Sequence, residues 1–194
     1  MTVALVVVDA QNEFSAGGRR PVPNHSMALA AIQRQVDRAR QESRPIAWIL
    51  HHNKLHETPA FIRGTWGAAF SPGLGPQAGS GIEALFEKEV YGAFTGTSME
   101  EWLRLNEVQS VLIVGFYAHM CLSTCAREAL SRGFQVLLDP EATGSCDLES
   151  EFFGKQTAEE VRRSALLHLT NMGATIADEY VPPLTFEQTQ VAAG

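Results

Sequence analysis

The chain has 194 residues, of which 45% are hydrophobic and 19% charged, and this composition is typical of a globular protein with a substantial core rather than a disordered or fibrous one. Its formal charge of −7 argues against nucleic acid and against an anionic membrane surface as main partners, because no segment concentrates positive charge. We therefore expect a single domain over residues 1–194.

Two features of the sequence predict a cytoplasmic location. The first apolar run, residues 3–8, stops at Asp9 and has no basic segment before it, so we expect neither a secretory signal nor a membrane span. The three cysteines, Cys121, Cys125 and Cys146, are odd in number and sparse, which favours free thiols in a reducing compartment over a disulfide framework.

Apolar runs that resemble strands alternate with helical patterns along the chain, which predicts an α/β fold. Several of these runs are continuously apolar, as expected for a parallel sheet that helices cover on both faces. We expect a three-layer α/β/α architecture with a six-stranded, mostly parallel sheet in the order 3-2-1-4-5-6. The predicted strands are 4–8, 46–51, 86–90, 111–114, 135–139 and 174–176.

Capping signals mark the starts of the predicted helices between these strands. Ser26 is the predicted N-cap of the first helix. Ser98 with Glu101, and Thr157 with Glu160, have the spacing of a capping box, in which two side chains satisfy the first free backbone N–H groups. The predicted helices are 27–42, a segment after Ser98, 122–131 and a segment after Thr157.

Two chemically active side chains follow strands that the predicted order makes neighbours. Asp9 comes directly after the first strand, and Cys121 lies six residues beyond Gly115, which ends the fourth. Ligands of open α/β sheets bind outside the carboxyl ends of strands at such a switch point. Cys121 also opens a predicted helix, where backbone N–H groups and the helix dipole lower a cysteine pKa and favour the reactive thiolate, and Asp9 is the group expected to accept the thiol proton.

Four ordered segments resemble motifs of one hydrolase family. Residues 7–14, VVDAQNEF, resemble a strand followed by D-x-Q-N-[DE]-F, and residues 64–68, GTWGA, resemble its G-T-x-G-A loop. Residues 88–94, KEVYGAF, resemble K-x-x-Y-S-A-F with Gly92 in place of the usual serine. The segment 115–126 resembles G-x-x-x-x-x-C-V-x-x-T-A. Together they are similar to the isochorismatase-like hydrolases, which include nicotinamidases and N-carbamoylsarcosine amidohydrolase.

The resemblance implies a role for each of five residues. Asp9 would be the general base, Lys88 its charged partner and Cys121 the nucleophile. A non-proline cis peptide bond would lie between Phe116 and Tyr117, and the backbone N–H groups of Tyr117 and Cys121 would form an oxyanion hole. The family also implies a homodimer or homotetramer, and the tail after residue 182 would be frayed or docked on a partner subunit.

The predicted function is hydrolysis of a C–N bond in a small amide, ureido or similar molecule through a thioester on Cys121. One alternative is vinyl ether hydrolysis of the isochorismatase type, with Asp9 as an acid and no covalent intermediate. The presence of Cys121 argues against it, because members with that chemistry need not have the cysteine. Another alternative is a non-catalytic family member, against which the complete triad argues.

Five further residues are candidates for the substrate pocket. Their aromatic rings and imidazole suit a small, flat or partly apolar substrate, although aromatic residues are also common in ordinary cores. The candidates are Phe14, Trp66, Tyr91, Phe94 and His119.

Histidines follow the second strand, where nicotinamidases bind a metal through Asp-x-His and a further histidine. The sequence here is His51-His52-Asn53, with His56 a little further on. The aspartate is absent, and asparagine takes the position that corresponds to a histidine. Imidazoles at positions 51, 52 and 56 are metal-ligand candidates, but we favour polar residues at the pocket mouth or a subunit contact. We expect no metal and no cofactor.

Overall fold

The computed structural model of the protein describes residues 2–54 and 56–177. The described chain alternates strands and helices, with a 3₁₀ turn at Asn12–Phe14 and a π-helical turn at Ala118–Leu122. The strands are β1 (Thr2–Val8), β2 (Ile46–His51), β3 (Glu83–Lys88), β4 (Val108–Phe116), β5 (Gln135–Gly144), β6 (Leu148–Ser150), β7 (Gly154–Gln156) and β8 (Thr175–Ile176). The helices are α1 (His25–Gln41), α2 (Met99–Leu105), α3 (Ser123–Ser131) and α4 (Ala158–Asn171).

Six of the strands form one parallel sheet in the order β3-β2-β1-β4-β5-β8. This confirms the predicted order, in which β8 is the sixth strand of the sheet. The two intervening strands, β6 and β7, form a separate antiparallel hairpin that the sequence analysis did not predict. Strands β2 and β3 lie on one side of β1, and β4, β5 and β8 lie on the other side. The strand order therefore reverses between β1 and β4, which makes this the switch point of the sheet.

Helices cover both faces of the sheet and bury two apolar cores. On one face, Ile32 and Val36 of α1 pack in a cluster with Trp48 of β2, and all three are fully buried. On the other face, Leu103 of α2 and Leu169 of α4 belong to a second buried cluster, together with residues of α3. The predicted three-layer α/β/α architecture is therefore confirmed, and the sheet lies between the two cores.

The predicted N-cap of α1 is wrong, and the capping box predicted at the start of α2 does not form. Helix α1 begins at His25, and its N-cap is Asn24 in the left-handed conformation, with φ of 59° and no side-chain capping bond. Ser26 therefore lies within the first turn. Ser98 occupies the N-cap of α2 but its side chain makes no capping bond. The hydroxyl of Thr97 accepts a hydrogen bond from the first N–H group of α2 instead.

The capping box at the start of α4 is confirmed. The Thr157 hydroxyl accepts a hydrogen bond from the Glu160 N–H at 3.3 Å, and the Glu160 carboxylate accepts one from the Thr157 N–H at 2.8 Å. These two bonds satisfy donors that the helix itself leaves free. The box fixes where the last helix begins before the chain returns to the sheet at β8.

Two remaining expectations concern membranes and the tail. Within residues 2–54 and 56–177, no helix has the length and the apolar character needed to cross a bilayer. The expected behaviour of the tail after residue 182 concerns a segment outside the described residues.

Candidate active site

Four adjacent strands bring chemically active side chains to the carboxyl edge of the sheet. His51 ends β2 and is paired in register with Lys88, which ends β3. Asp9 follows β1, and Cys121 lies in the π-helical turn after β4. Because β3, β2, β1 and β4 are consecutive neighbours, these side chains converge. The predicted meeting of Asp9, Lys88 and Cys121 in one region is therefore what the topology produces.

A left-handed backbone conformation directs the Asp9 side chain. Its φ is 53°, a region that L-residues other than glycine rarely adopt and that aspartate tolerates better than most. The neighbouring strand approaches closely here, since a Cβ atom on Gly115 would lie 1.9 Å from the Val8 carbonyl oxygen. Gly115, with φ of 118°, is thus required for β1 and β4 to end side by side.

Asp9 and Lys88 form a buried ion pair. The Lys88 Nζ donates to Asp9 Oδ2 at 2.9 Å, and the exposed fractions of the two side chains are 0% for Lys88 and 1% for Asp9. Burial alone would lower the pKa of Lys88, but the negative charge of Asp9 and the nearby Cys121 outweigh it and raise that pKa. The other oxygen, Asp9 Oδ1, is buried and has no hydrogen-bond partner among the described residues.

The Cys121 thiol lies beside this pair. A carboxylate oxygen of Asp9, a ring nitrogen of His51 and the Cys121 Sγ are all within 4.8 Å of one another. Burial raises the pKa of Cys121 well above its ordinary value, and the charge of Asp9 raises it further, whereas Lys88 opposes the rise. This direction is opposite to the lowering of the pKa that the helix start predicts. The physical reason is desolvation in a π-helical turn, which exceeds the benefit of the nearby helix start.

Two other predicted residues, Tyr117 and His119, lie directly before this turn and within it. The peptide bond between Phe116 and Tyr117 is cis. Tyr117 immediately precedes the turn, and its hydroxyl donates to the Arg20 carbonyl oxygen at 2.7 Å. The ring of Tyr117 stacks on His119 with 5.2 Å between centroids, and His119 contacts the Ser145 hydroxyl at 3.2 Å. The chain after β4 is therefore held by contacts with two separate loops.

Polar side chains of the first motif hold the loops around the site. The Gln11 amide bonds both the N–H and the carbonyl of His51, at 2.9 and 3.0 Å. The Glu13 carboxylate accepts from the Phe61 N–H at 3.1 Å and from the Arg19 N–H at 2.6 Å. Each side chain is buried and bonded to backbone, so these residues of D-x-Q-N-[DE]-F build the frame and do not enter the cluster.

The motif departure at Gly92 has a structural cause. A Cβ atom at this position would lie 2.3 Å from a carboxylate oxygen of Glu128. That carboxylate accepts a hydrogen bond from the Phe94 N–H at 3.0 Å and one from the Thr95 hydroxyl. Glycine here makes room for a carboxylate of α3 that anchors the loop after Lys88.

A cavity of about 640 Å³ opens onto Asp9 and Cys121. Among the predicted pocket residues, Phe14, Tyr91 and His119 line it. Two others lie elsewhere. Trp66 is 59% exposed and does not line the cavity. Phe94 is buried in the second core. Lining residues that the sequence analysis missed include Arg20, Glu57, Phe61, Glu89, Met120 and Leu148.

The three candidate metal ligands, His51, His52 and His56, do not form one cluster. The His52 ring turns towards Glu87, with 3.6 Å between Nε2 and the carboxylate, and His56 is exposed. Among the described residues, one set has metal-ligand spacing, namely Asp9, His51 and Cys121. The Lys88 ammonium lies within this set, because its Nζ is 2.9 Å from Asp9 and 3.2 Å from His51. An ammonium already neutralises the carboxylate and uses the imidazole, so the set does not suit a metal ion.

Fold and site together define the class of protein, a parallel α/β enzyme scaffold with a thiol, a carboxylate and an ammonium beside a small-molecule cavity. Residues 3–178 match the isochorismatase domain family. The chain is 32% identical to the secreted isochorismatase effector Isc1 of Verticillium dahliae over 148 residues, which cover 74% of this chain and 73% of that protein. It is 30% identical to nicotinamidase 3 of Arabidopsis thaliana over 156 residues, which cover 75% of each chain.

A solved structure shows the same fold. The crystal structure of an isochorismatase from Pseudomonas putida superposes with a TM-score of 0.82 at 27% identity, and the match covers 90% of this chain and 87% of that one. The chain therefore belongs to the isochorismatase family of hydrolases, as the four motifs indicated.

Proposed function

We propose that the protein is a cysteine hydrolase that cleaves a C–N bond of a small amide, ureido or related molecule through a thioester on Cys121. One observation carries this proposal. Asp9 Oδ1 is a buried carboxylate oxygen without a hydrogen-bond partner among the described residues, in a cluster with a thiol that needs a base. A buried acceptor left free costs free energy, and such groups are often found where chemistry takes place.

The first step follows from the protonation states. Because the raised pKa of Cys121 keeps its proton on sulfur, the thiol must lose that proton as it attacks. Asp9 accepts the proton while the sulfur forms a bond to the carbonyl carbon of the substrate. Lys88, paired with Asp9 in the resting state, stabilises the negative charge that develops on sulfur as its proton moves to Asp9, before that charge passes to the carbonyl oxygen of the substrate.

The next steps need an oxyanion site and a proton donor. In the proposal, the backbone N–H groups of Tyr117 and Cys121, both of which line the cavity, bind the tetrahedral oxyanion. The C–N bond then breaks, and protonated Asp9 gives its proton to the departing nitrogen. Water attacks the thioester with Asp9 again as the base, which releases the acid and restores the thiol.

The cavity lining supports a small substrate with a flat or apolar part. Phe14, Phe61 and Tyr91 supply aromatic surface, and His119 and Arg20 supply polar groups at the same cavity. The 30% identity to a nicotinamidase supports an amide as the substrate class.

A panel of small amides, ureas and carbamates tests the proposal by ammonia release. We expect at least one compound to be hydrolysed by the wild type, and Cys121→Ala to lose activity by about 10³-fold or more, as is typical when a nucleophile is removed. Cys125→Ala is the matched control, since this cysteine lies one helical turn further on, is fully buried in the second core and does not line the cavity. It should retain turnover within about threefold, because a small core side chain is lost and no cavity residue changes. Turnover by Cys121→Ala at the wild-type rate would overturn covalent catalysis.

A further inference from the structure

We propose that His51 is a positioning residue that fixes the Lys88 ammonium in the cluster as a neutral imidazole, with Asn53 holding its tautomer. The inference rests on the proposed function for its catalytic consequence, but its structural part stands by itself. His51 lies at the end of β2, beside β1 and β3, and its exposed fraction is 7%. The four motifs that indicate the family do not include it.

The protonation of the His51 ring follows from two groups, the Lys88 ammonium, which can only donate a hydrogen bond, and the Ala60 carbonyl oxygen, which can only accept one. The Lys88 ammonium can only donate, and its Nζ is 3.2 Å from His51 Nδ1. Nδ1 must therefore be the unprotonated acceptor. At the other end, the Ala60 carbonyl oxygen can only accept, and the Asn53 Nδ2 donates to it at 3.1 Å. This fixes the orientation of the Asn53 amide.

The remaining contact completes the chain of hydrogen bonds. With the Asn53 nitrogen facing Ala60, its Oδ1 faces His51 Nε2 at 2.7 Å. Because Oδ1 can only accept, Nε2 must carry the proton. His51 is therefore the Nε2–H tautomer, with Lys88 donating to one nitrogen and Asn53 accepting from the other. This is the usual way in which a second hydrogen bond selects a histidine tautomer.

The surroundings keep this ring uncharged. Burial lowers the pKa of His51, and the positive charge of Lys88 lowers it further, whereas Asp9 acts in the opposite direction. An imidazolium would direct a second proton at the ammonium, so the acceptor at Nδ1 exists only in the neutral form. The Phe61 ring packs edge-on against the imidazole, with 5.5 Å between centroids, and limits its rotation.

The consequence concerns the direction of the ammonium. One N–H of Lys88 bonds Asp9 and a second bonds His51, so two of its three donors are fixed. The Cys121 Sγ lies within 4.8 Å of an Asp9 carboxylate oxygen and of a His51 ring nitrogen, and Lys88 bonds both of these residues. With two donors fixed, the third N–H keeps one direction in the cluster. Loss of the His51 acceptor would leave Lys88 free to turn about its bond to Asp9.

Two amide substitutions at position 51 separate positioning from packing. An asparagine oxygen is as many bonds from Cβ as Nδ1, whereas a glutamine oxygen corresponds to Nε2. We expect His51→Asn to keep an acceptor for Lys88 and His51→Gln to lose it. The readout is the rate at which iodoacetamide alkylates Cys121, followed by mass mapping, because it needs no known substrate. The rate should fall about tenfold in His51→Gln, the equivalent of one pKa unit in thiolate stabilisation, and stay within about threefold of wild type in His51→Asn.

Kinetics give the second readout once the panel has identified a substrate. In His51→Gln, kcat should fall by about tenfold with KM changed less than about twofold, because positioning affects the reacting state rather than binding. Equal rates of alkylation in the two variants, whether both normal or both reduced, would overturn the proposal.

A third measurement uses the wild-type protein and remains decisive if either variant fails to fold. The ¹⁵N shifts of the His51 ring nitrogens, assigned by comparison with the spectrum of a His51 variant or of Asn53→Leu, should show protonated Nε2 and unprotonated Nδ1 at about pH 7. A proton on Nδ1, in either the other tautomer or the imidazolium, would overturn the inference. If Cys121→Ala kept full activity while the Nε2–H tautomer was observed, the proposed covalent mechanism would fail and the positioning of Lys88 would stand.

Discussion

Strand β3 carries an ion pair at each end, partly buried at its first residue and fully buried at its last, and the two carboxylates differ in how fully their hydrogen bonds are satisfied. At its first residue, the Glu83 carboxylate accepts bonds from Arg40 at 3.0 and 3.2 Å, from the Trp48 indole at 2.8 Å and from the Gln77 N–H at 3.1 Å. At its last residue, Lys88 pairs with Asp9, whose Oδ1 has no partner among the described residues.

The contrast separates a structural carboxylate from one that is available for chemistry. Burial raises the pKa of Glu83, but its bonds to Arg40, Trp48 and Gln77 outweigh that effect and lower it, so this group stays ionised. Both of its oxygens accept hydrogen bonds from protein groups. Asp9 has one oxygen bound by Lys88 and one, Oδ1, without a hydrogen-bond partner among the described residues. Both carboxylates belong to an ion pair, so what distinguishes them is the satisfaction of their hydrogen bonds, together with the deeper burial of the Asp9–Lys88 pair.

The largest expected effect is a loss of turnover when the carboxylate of Asp9 is replaced. Asp9→Asn should lower turnover by about 10²- to 10⁴-fold, because an amide cannot take the proton of the thiol. The isosteric amide still offers an oxygen to Lys88, so we expect a folded protein with a cooperative unfolding transition. Ammonia release and urea unfolding measure the two effects. Asp9→Asn with normal turnover would remove the distinction between the two carboxylates.

The same substitution at the other end of the strand should have the opposite profile. Glu83→Gln should lower the free energy of unfolding by about 1–3 kcal/mol, since it weakens charged hydrogen bonds that are largely shielded from water. Its turnover should stay within about twofold of wild type, because Glu83 does not line the cavity. Urea unfolding curves check the stability, and a loss of turnover as large as that of Asp9→Asn would contradict the account.

The smallest effect is the pH dependence of that stability difference. The folded pKa of Glu83 is below its ordinary value of 4.5, so ionised Glu83 stabilises the fold above that pH. As the pH falls through the folded pKa, this contribution is lost. The difference in unfolding free energy between wild type and Glu83→Gln should therefore decrease below about pH 4.5. A difference that grows on acidification would show that Glu83 has the reverse shift.

Much of the fold could be predicted because its signal is hydrophobic. Continuous burial of β1 and β4 produces the apolar runs that marked these strands. Strand β3 begins three residues before the predicted position, since exposed and buried residues mix along it and its bounds follow from pairing with β2. The β6–β7 hairpin left no apolar signal, because its six strand residues are exposed or half-buried.

The sequence motifs could predict which residues form the site, but not the properties that depend on burial and side-chain contacts. Asp9, Lys88 and Cys121 follow from the motifs. The protonation of Cys121 does not, because a helix start indicated a thiolate while burial, which the sequence does not show, raises the pKa. The sequence indicates His51 only as a metal candidate, a residue of the pocket mouth or a subunit contact, because its bonds to Lys88 and Asn53 depend on side-chain directions. A histidine at the end of a strand beside that of Lys88 was the one available signal.

Covalent catalysis at the Asp9–Lys88 end of β3 is tested most directly by trapping the intermediate. Wild-type protein is mixed with a compound that it hydrolyses, quenched in acid during turnover and digested for mass spectrometry. We expect fragment ions to place the acyl group of the substrate on Cys121, and not on Cys125 of the same segment or on Cys146. Rapid turnover without any acylated Cys121 peptide, joined with full activity of Cys121→Ala, would contradict the account.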